Sequence, residues 1–313
     1  MEHRKKCCSL VVPCYNEEKA IPYFYREIVT VMEQLKEELD FEVLFIDDGS
    51  TDQTLQLLHA LCNQDRRIHY LSFSRNFGKE AGLYAGLNKA SGDYVVTMDV
   101  DLQDPPKLIP EMYRIVKEEG YDCVATRRMT RKGEPVLRSL FAKGFYRLMN
   151  RISKTGVVDG ARDFRFMKRK MVEAVLSMSE YNRFSKGIFE WVGFRTKYLS
   201  YENEERIAGD TKWSFWNLFK YSIEGIVAFS TAPLAIASLG GIILCGIAFI
   251  MVLFLVIRAL IFGDTVSGWP SLACIIIFLG GIQLFCSGIL GVYLSKTYLE
   301  CKNRPVYIIK EER

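Results

Sequence analysis

The chain has 313 residues, a formal net charge of +4 and 49% hydrophobic residues. This length allows one large domain and a smaller region, and the small net charge gives no indication of a nucleic-acid partner. The nine cysteines include no Cys-x-x-Cys pair, which argues against a zinc site and against a disulfide framework.

Strand and helix patterns alternate in the first part of the chain. Strands are predicted at 9–12, 41–46, 68–73, 94–98 and 122–126, and helices at 18–38, 54–63 and 80–90. This alternation predicts βαβ units and a mostly parallel sheet that is covered on both faces. Ligands bind such sheets beyond the carboxyl ends of the strands, where polar clusters stand at 14–18, 47–52 and 99–104.

Two amphipathic segments follow, at 136–152 and 213–229. Residues 127–154 carry nine Lys and Arg against the single acid Glu134. One interpretation of the first segment is a solvated helix packed on the domain. The other is an interface helix whose cations contact anionic lipid headgroups. In the second segment, Trp213, Trp216 and Tyr221 fit the aromatic belt of a membrane interface.

Two apolar runs predict transmembrane helices. From 234 to 262 the one charged residue is Arg258, and from 272 to 294 there is none. Each run exceeds the roughly 20 residues that cross ~30 Å of hydrocarbon. Buried core helices are the alternative, but they seldom run so long without charge.

The distribution of charge predicts the topology. Residues 9–14 are too short for the apolar core of a signal peptide, and Lys and Arg follow the second run but are absent from the connector at 263–271. We therefore expect a cytoplasmic domain at 1–230, a two-helix transmembrane region at 231–296 and a cytoplasmic tail at 297–313, all at the inner or plasma membrane.

The pattern Asp99-Val100-Asp101, followed by Gln103, favours a metal site. Two carboxylates at i and i+2 after a buried strand can converge on one Mg²⁺ or Mn²⁺, and Gln103 can add a carbonyl oxygen. Such a cation would stabilise a diphosphate leaving group. The bare pattern also fits a turn, because aspartates form local hydrogen bonds there.

Two further loops favour a nucleotide site. Asp47-Asp48-Gly49-Ser50-Thr51-Asp52 ends a predicted strand, and its last three residues also fit a helix cap. Two adjacent carboxylates are not explained by a cap, and one of them can accept hydrogen bonds from a nucleobase. In the loop after the first strand, Tyr15 can stack on a base and Glu17 can hold it.

These motifs together resemble glycosyltransferase family 2, and more narrowly the polyprenyl-phosphate glycosyltransferases related to dolichol-phosphate mannose synthase. The motifs that carry the resemblance are Val12–Glu17, Asp47–Asp52, Ser74–Lys79, Asp99–Pro106, Asp163–Arg165, Asn182–Phe184, Trp191–Arg195 and Gly209–Trp213. The resemblance implies an α/β, Rossmann-like GT-A domain, then amphipathic interface helices and two transmembrane helices. It also implies a nucleotide-sugar donor, an inverting transfer and a polyprenyl-phosphate acceptor.

The same resemblance implies roles for individual residues. The metal ligands are Asp101 and Gln103, and the nucleotide pocket comprises Pro13, Tyr15, Glu17, Asp48 and Asp99. Asp163 matches the acidic residue near the acceptor phosphate, with Asp159 as the alternative. Arg162 departs from the family pattern, and the sequence gives it no role.

Basic residues outside these motifs are candidates for phosphate binding. Arg guanidinium groups match phosphate oxygens, and we expect Arg128, Arg131 and Arg138 to bind the acceptor phosphate. Arg206 and Lys212 are expected on the donor diphosphate. The acceptor monoester is already largely anionic at neutral pH, since its second pKa is about 6. Asp163 is therefore expected to orient the acceptor or to take a residual proton.

The sequence does not identify the sugar. Glucose from UDP-glucose, transferred to undecaprenyl phosphate for cell-envelope glycan modification, is our first expectation, with N-acetylglucosamine and then mannose as alternatives. A processive polysaccharide synthase is disfavoured because no QxxRW motif occurs, and a non-catalytic scaffold because the acidic motifs are intact. We expect a separate flippase and a downstream transferase, and the sequence leaves a homo-oligomer open.

Overall fold

The computed structural model describes residues 5–128, 158, 160–201, 226–228, 230–262 and 268–313. The chain forms two compact units. The first, called here the sheet unit, comprises Met1–Gly225 and Arg304–Arg313, and the second, the helical unit, comprises Ile226–Asn303.

Within the described residues, the sheet unit contains one sheet of eight strands in the order β7-β5-β6-β4-β1-β2-β3-β8. The strands are β1 (Lys6–Cys14), β2 (Leu39–Asp47), β3 (Ile68–Phe73), β4 (Tyr94–Thr97), β5 (Cys123–Arg128), β6 (Ala161–Lys168), β7 (Thr196–Tyr201) and β8 (Ile309–Glu312). The helices are α1 (Ile21–Leu35), α2 (Thr54–Gln64), α3 (Lys79–Lys89), α4 (Ile109–Glu118), α5 (Arg169–Leu176) and α6 (Ser185–Trp191).

The strand directions bring the predicted polar clusters to one edge of the sheet. Strands β4, β1, β2 and β3 are mutually parallel, β6 is antiparallel to β4 and β5, and β8 is antiparallel to β3. The register pairs Cys14 with Asp47 and Val11 with Thr97, so β1, β2 and β4 end close together. The mostly parallel sheet predicted from the sequence is confirmed.

The centre of the sheet is covered on both faces. Leu10, Val11 and Val12 of β1 are all fully buried, as expected for a central strand flanked by helices. Helix α3 lies very close to the sheet, since a Cβ added at Gly86 would lie 2.2 Å from Cγ1 of Val11. This close approach fixes the first residue of α3, Lys79, at the carboxyl edge of the sheet.

The C-terminal residues, which the sequence predicts as a cytoplasmic tail at 297–313, contain the end of a helix and a strand. Residues up to Cys301 continue the second long helix, and Ile309–Glu312 form β8 on the edge of the sheet. Tyr307 stacks on Phe73 of β3 at a ring-centroid distance of 5.1 Å. The sequence did not predict this strand because Ile309–Glu312 carries three charged side chains and no apolar alternation.

The helical unit consists, in the described part of the chain, mainly of α7 (Ala232–Phe262) and α8 (Trp269–Cys301). The segments Ala232–Met251 and Phe278–Cys301 have mean hydropathies of 2.5 and 1.6, long and apolar enough to cross a membrane. The predicted interface segment at 136–152 lies outside the described residues, as does the one at 213–229 apart from 226–228.

Candidate active site

The loops after β1 and β2 are joined by side chain to backbone hydrogen bonds. Asn16 N donates to Ser50 Oγ at 2.9 Å, and Glu17 N donates to Thr54 Oγ1 at 2.8 Å. Thr51 N donates to Asn16 Oδ1 at 2.8 Å. The polar residues after β2 therefore shape the loop that carries Tyr15 and Glu17, besides leading into α2.

The two adjacent carboxylates at the end of β2 hold a third loop in place. Asp47 Oδ2 accepts from Ser72 Oγ at 2.8 Å, while Asp48 accepts from the N–H groups of Phe77 and Gly78 at 2.6 and 2.9 Å. Burial raises the pKa of Asp48 above its ordinary value, and the two N–H bonds only partly offset this. Asp48 thus positions the loop before α3.

Gly49 allows this loop to approach. Its φ is +69°, and an added Cβ would lie 2.5 Å from the carbonyl carbon of Arg75. Any other residue would therefore meet both backbone strain and a clash with the main chain of the neighbouring loop. The glycine of the Asp47–Asp52 motif is required by this contact.

The residues after β4 form the acidic side of the site. Asp101 Oδ1 accepts from the N–H of Gln103 at 3.1 Å. Arg162, which had no predicted role, donates to Asp104 Oδ1 at 3.0 Å and to Gln103 Oε1 at 3.4 Å. Burial opposes the charge of Arg162, but the neighbouring carboxylates, led by Asp104, raise its pKa well above the ordinary value. Arg162 thus holds the loop that contains Gln103.

Asp104 is buried at 1% exposure and also accepts from the hydroxyl of Tyr201 at the end of β7. Within the described residues, its Oδ2 atom has no hydrogen-bond partner. Asp104 therefore fixes the loop after β4 to Arg162 on β6 and to the last residue of β7.

Asp163 lies on β6, and its carboxylate meets a residue that sequence reasoning did not assign. Lys79 Nζ lies 2.7 Å from Asp163 Oδ2 and 2.7 Å from Asp99 Oδ1. Burial disfavours the ionised form of Asp163, but the ammonium groups of Lys79 and Lys186 hold the pKa of this carboxyl well below its usual range. The one available signal was the place of Lys79 in the Ser74–Lys79 motif, at the start of a predicted helix.

A cavity of about 300 Å³ lies at this edge of the sheet. Its lining combines the loops after β1, β2 and β4 with the start of α3: Pro13, Cys14, Tyr15, Glu17, Asp48, Asn76, Gly78, Lys79, Gly82, Asp99, Val100 and Asp101. The structure thus brings together all five residues predicted for the nucleotide pocket, together with Asp101. Gln103 adjoins this group through its N–H bond to Asp101, and Asp163 adjoins it through its contact with Lys79.

Most of the residues predicted to bind phosphate lie outside the described part of the chain. Arg128 is the last residue of β5, paired with Tyr201 of β7. Arg131, Arg138, Arg206, Lys212 and Asp159 lie outside the described residues. No group of three or more His, Cys, Asp and Glu with metal-binding geometry occurs in the part of the chain that the structure describes.

Comparisons with known proteins give the family. Residues 9–176 match Glycosyl transferase family 2. The chain is 46% identical over 303 residues to the prophage bactoprenol glucosyl transferase homolog of Escherichia coli (strain K12). The alignment covers 96% of this chain and 98% of that protein.

A second relative and a solved structure were also found. The bactoprenol glucosyl transferase of Shigella phage SfV is 44% identical over 306 residues, covering 97% of this chain and 98% of that protein. The mannosyltransferase of Pyrobaculum calidifontis, solved with GDP-Man and Mn²⁺, gives a TM-score of 0.49 at 16% identity, covering 72% of this chain and 63% of that one. By the family match and the two relatives, the chain belongs to glycosyl transferase family 2 and is a glycosyltransferase, as the sequence motifs predicted.

Proposed function

We propose that this enzyme transfers glucose from UDP-glucose to a polyprenyl phosphate, with inversion at the anomeric carbon. The observation that carries the proposal is the cavity at the carboxyl edge of the sheet, which gathers Tyr15, Glu17, Asp48, Asp99 and Asp101. The names of the two relatives, a bactoprenol glucosyl transferase and a prophage bactoprenol glucosyl transferase homolog, support glucose and a polyprenol-based acceptor.

The donor nucleotide is assigned to this cavity. Tyr15 offers a ring for stacking on the base, and Glu17 and Asp99 offer carboxylates toward N–H and hydroxyl groups of a nucleoside. Asp48 takes part mainly by holding the Phe77–Gly78 backbone at the cavity wall, because its oxygens already accept two N–H groups. Arg206 and Lys212 are assigned to the donor diphosphate.

A divalent cation, Mg²⁺ or Mn²⁺, fits the residues that follow β4. Asp101 lines the cavity, and the N–H of Gln103 donates to Asp101 Oδ1 at 3.1 Å, so the two residues lie side by side. The amide oxygen of Gln103 has two lone pairs, one of which accepts from Arg162 at 3.4 Å. One carboxylate and one amide oxygen suit a hard cation that completes its coordination with water and diphosphate oxygens. When bound, the ion would neutralise charge on the leaving diphosphate.

The acceptor phosphate is assigned to the side of the site where Asp163 stands. A phosphate monoester is nucleophilic without a strong base, since its second pKa is about 6. The enzyme's task is then to bring two anions together in line. Asp163 orients the acceptor or takes a residual proton, and Arg128, Arg131 and Arg138 bind its phosphate.

We also propose that the catalytic site faces the cytoplasm. The sequence leaves the sheet unit for α7 and α8 and returns as β8, which pairs with β3. If both helices cross a membrane, the sheet unit must lie on one side, and the charge distribution favours the cytoplasmic side. The lipid-linked product then requires a separate flippase and a downstream transferase.

The donor experiment supplies purified protein with polyprenyl phosphate and labelled UDP-glucose, UDP-N-acetylglucosamine or GDP-mannose. We expect labelled lipid from UDP-glucose and little from the other two. No labelled lipid from any donor would contradict the proposal, whereas strong preference for another donor would change the sugar and leave the acceptor assignment standing.

The acceptor experiment compares single alanine variants of Arg128, Arg131 and Arg138. Loss of a phosphate contact is expected to raise KM for lipid phosphate about 10- to 100-fold, with little effect on KM for the nucleotide-sugar. Weak and equal effects that depend on anionic lipid and salt would indicate general headgroup binding instead.

The topology experiment uses a variant without native cysteines, with a single cysteine at Ser50 or at Gly268. An impermeant thiol reagent applied to intact cells should label position 268 and not position 50. Labelling at position 50 would overturn the cytoplasmic orientation.

A further inference from the structure

Lys79 connects two carboxylates that come from different strands. Its Nζ atom lies 2.7 Å from Asp99 Oδ1, 2.9 Å from Asp99 Oδ2 and 2.7 Å from Asp163 Oδ2. The side chains of Lys79, Asp99 and Asp163 are 38%, 26% and 16% exposed, so the cluster borders solvent in the cavity. These three side chains therefore do not form an ion-pair cluster buried in the core.

The sheet register explains why the two carboxylates meet. Antiparallel strands β4 and β6 pair Thr97 with Arg165, and continuing this register by two residues brings Asp99 opposite Asp163. The hydroxyl of Thr97 also donates to the carbonyl oxygen of Asp163 at 2.5 Å, which fixes the two backbones together. Like charges directly opposite each other on neighbouring strands are destabilising, and an ammonium between them removes the repulsion.

Lys79 is well placed for this contact. It is the first residue of α3, directly after the backbone that Asp48 holds, and α3 is pressed against β1 at Gly86. Burial opposes the charge on Lys79, but Asp163 and Asp99 raise its pKa well above the ordinary value. The side chain therefore stays cationic throughout the neutral range.

We propose that Lys79 is a positioning residue whose ammonium joins Asp99 on the donor side to Asp163 on the acceptor side and offsets one negative charge in the cavity. The terms donor and acceptor rest on the proposed function. Without Lys79, Asp163 loses its anchor and stands as a less compensated anion, with Lys186 and Arg162 as the remaining nearby cations, where an anionic phosphate must approach. The carboxylates near Asp101 also become more attractive to a divalent cation, because a nearby positive charge is gone.

The variants are Lys79→Met and Lys79→Gln, which remove the charge, and Lys79→Arg, which keeps it. Lys89→Met is the matched control. Lys89 lies on the same helix and its Nζ is 2.9 Å from Glu312 Oε2, on an exposed surface away from the cavity lining. All four are compared with wild type in the full-length protein, after thermal unfolding shows which are folded.

Two readouts separate positioning from a structural role. In steady-state kinetics, the neutral variants should lose about 100-fold in kcat while donor KM changes less than about threefold, and Lys79→Arg should recover about tenfold or more. In EPR titrations with UDP present, the neutral variants should bind Mn²⁺ about threefold or more tightly than wild type, while Lys89→Met matches wild type.

Three results would overturn the proposal. One is a kcat within about threefold of wild type in both neutral variants. The second is weaker Mn²⁺ binding in those variants, and the third is an equal loss in Lys79→Arg and Lys79→Met together with lower thermal stability. If wild type makes no product from any donor, the proposed function fails, but the Mn²⁺ titration still decides the role of Lys79.

Discussion

Two pairs of carboxylates end two strands of the same sheet, and the protein holds them in different ways. At the end of β2, Asp47 and Asp48 accept hydrogen bonds from neutral donors: the Ser50 N–H, the Ser72 hydroxyl and the N–H groups of Phe77 and Gly78. After β4, Asp99 faces the ammonium of Lys79, and Asp101 accepts from the Gln103 N–H in its own turn.

This difference indicates a structural role for Asp47 and Asp48 and a ligand-binding role for Asp99 and Asp101. Backbone N–H donors are fixed by the loops that carry them and cannot leave when a ligand arrives. A lysine ammonium can shift with its flexible side chain while it stays beside its carboxylates, so Asp99 can adjust when a ligand binds. The same change, Asp→Asn, should therefore have different consequences in the two pairs, since it removes charge while keeping size.

The largest effect is expected for Asp101→Asn. Loss of this charged ligand should lower kcat by about 10²- to 10³-fold, because transition-state charge on the diphosphate is no longer offset. The melting temperature should stay close to that of wild type. Turnover of labelled UDP-glucose with Mg²⁺, with Mn²⁺ and with excess chelator measures this effect.

A control for Asp101→Asn is Asp65→Asn, which removes a carboxylate bound to Arg67 just before β3, at the amino end of that strand. Its kcat should match wild type. Full wild-type turnover in chelator, or an Asp101→Asn enzyme with normal kcat, would contradict the metal assignment.

Asp48→Asn should affect donor binding more than chemistry. An amide presents one acceptor oxygen, and its NH₂ group would face the N–H of either Phe77 or Gly78, so the loop must move. Because Asn76 and Gly78 line the cavity, KM for the nucleotide-sugar should rise about 10- to 100-fold, the usual range for disrupting a hydrogen-bonded charge. Calorimetry with UDP measures the loss directly, and unchanged UDP affinity would restrict Asp48 to a structural role.

The sequence predicted the parallel half of the sheet well, because each of those strands is a buried apolar run. The predicted strand at 68–73 has the observed bounds, Ile68–Phe73. Strand β6 was not predicted, since its sequence Ala161–Lys168 is interrupted by charges and contains Arg165, which is fully buried against Glu190. A buried arginine is explained by its tertiary partners and not by any local pattern.

The same distinction between local patterns and tertiary contacts explains which residues of the candidate site could be predicted. Asp48, Asp99 and Asp101 were predictable because each follows a recognisable strand, and parallel strands end at a common edge. The contact of Lys79 with Asp163 and that of Arg162 with Asp104 were not, because both depend on the position of β6 beside β4. That pairing joins residues far apart in sequence across an antiparallel register.

Asp47→Asn should change stability without changing donor affinity. Asp47 is 1% exposed, and its two oxygens accept from Ser50 N and Ser72 Oγ. Losing one acceptor should cost about 1–3 kcal/mol in the free energy of unfolding. A double-mutant cycle with Ser72→Ala, in which stability is measured by thermal unfolding in detergent, should show a coupling free energy between Asp47 and Ser72. If Asp47→Asn instead raised the donor KM and left stability unchanged, the structural role assigned to Asp47 would be contradicted.

The smallest effect is expected from a change of pH, which should alter the affinity for UDP-glucose. It distinguishes Asp48 from Asp163, because the surroundings of these two carboxyls shift their pKa values in opposite directions. Burial raises the pKa of Asp48, whereas Lys79 and Lys186 outweigh burial and hold the pKa of Asp163 below its usual range. As the pH falls, Asp48 therefore takes up a proton before Asp163 does, and a protonated Asp48 accepts less well from Phe77 and Gly78. UDP-glucose keeps a constant charge in this range, so its affinity reports on the protein.

Between pH 7 and pH 5 we expect the affinity for UDP-glucose to fall by up to about threefold in wild type, the change expected when a carboxyl begins to titrate. Asp163→Asn should retain this fall, because Asp163 stays ionised throughout. Asp48→Asn should abolish it, on top of its lower affinity at every pH. A fall in affinity that persists in Asp48→Asn and disappears in Asp163→Asn would contradict this assignment. It would mean that the ammonium of Lys79 does not keep Asp163 ionised, and that hydrogen-bond donors do not set the order in which the two carboxylates take up protons.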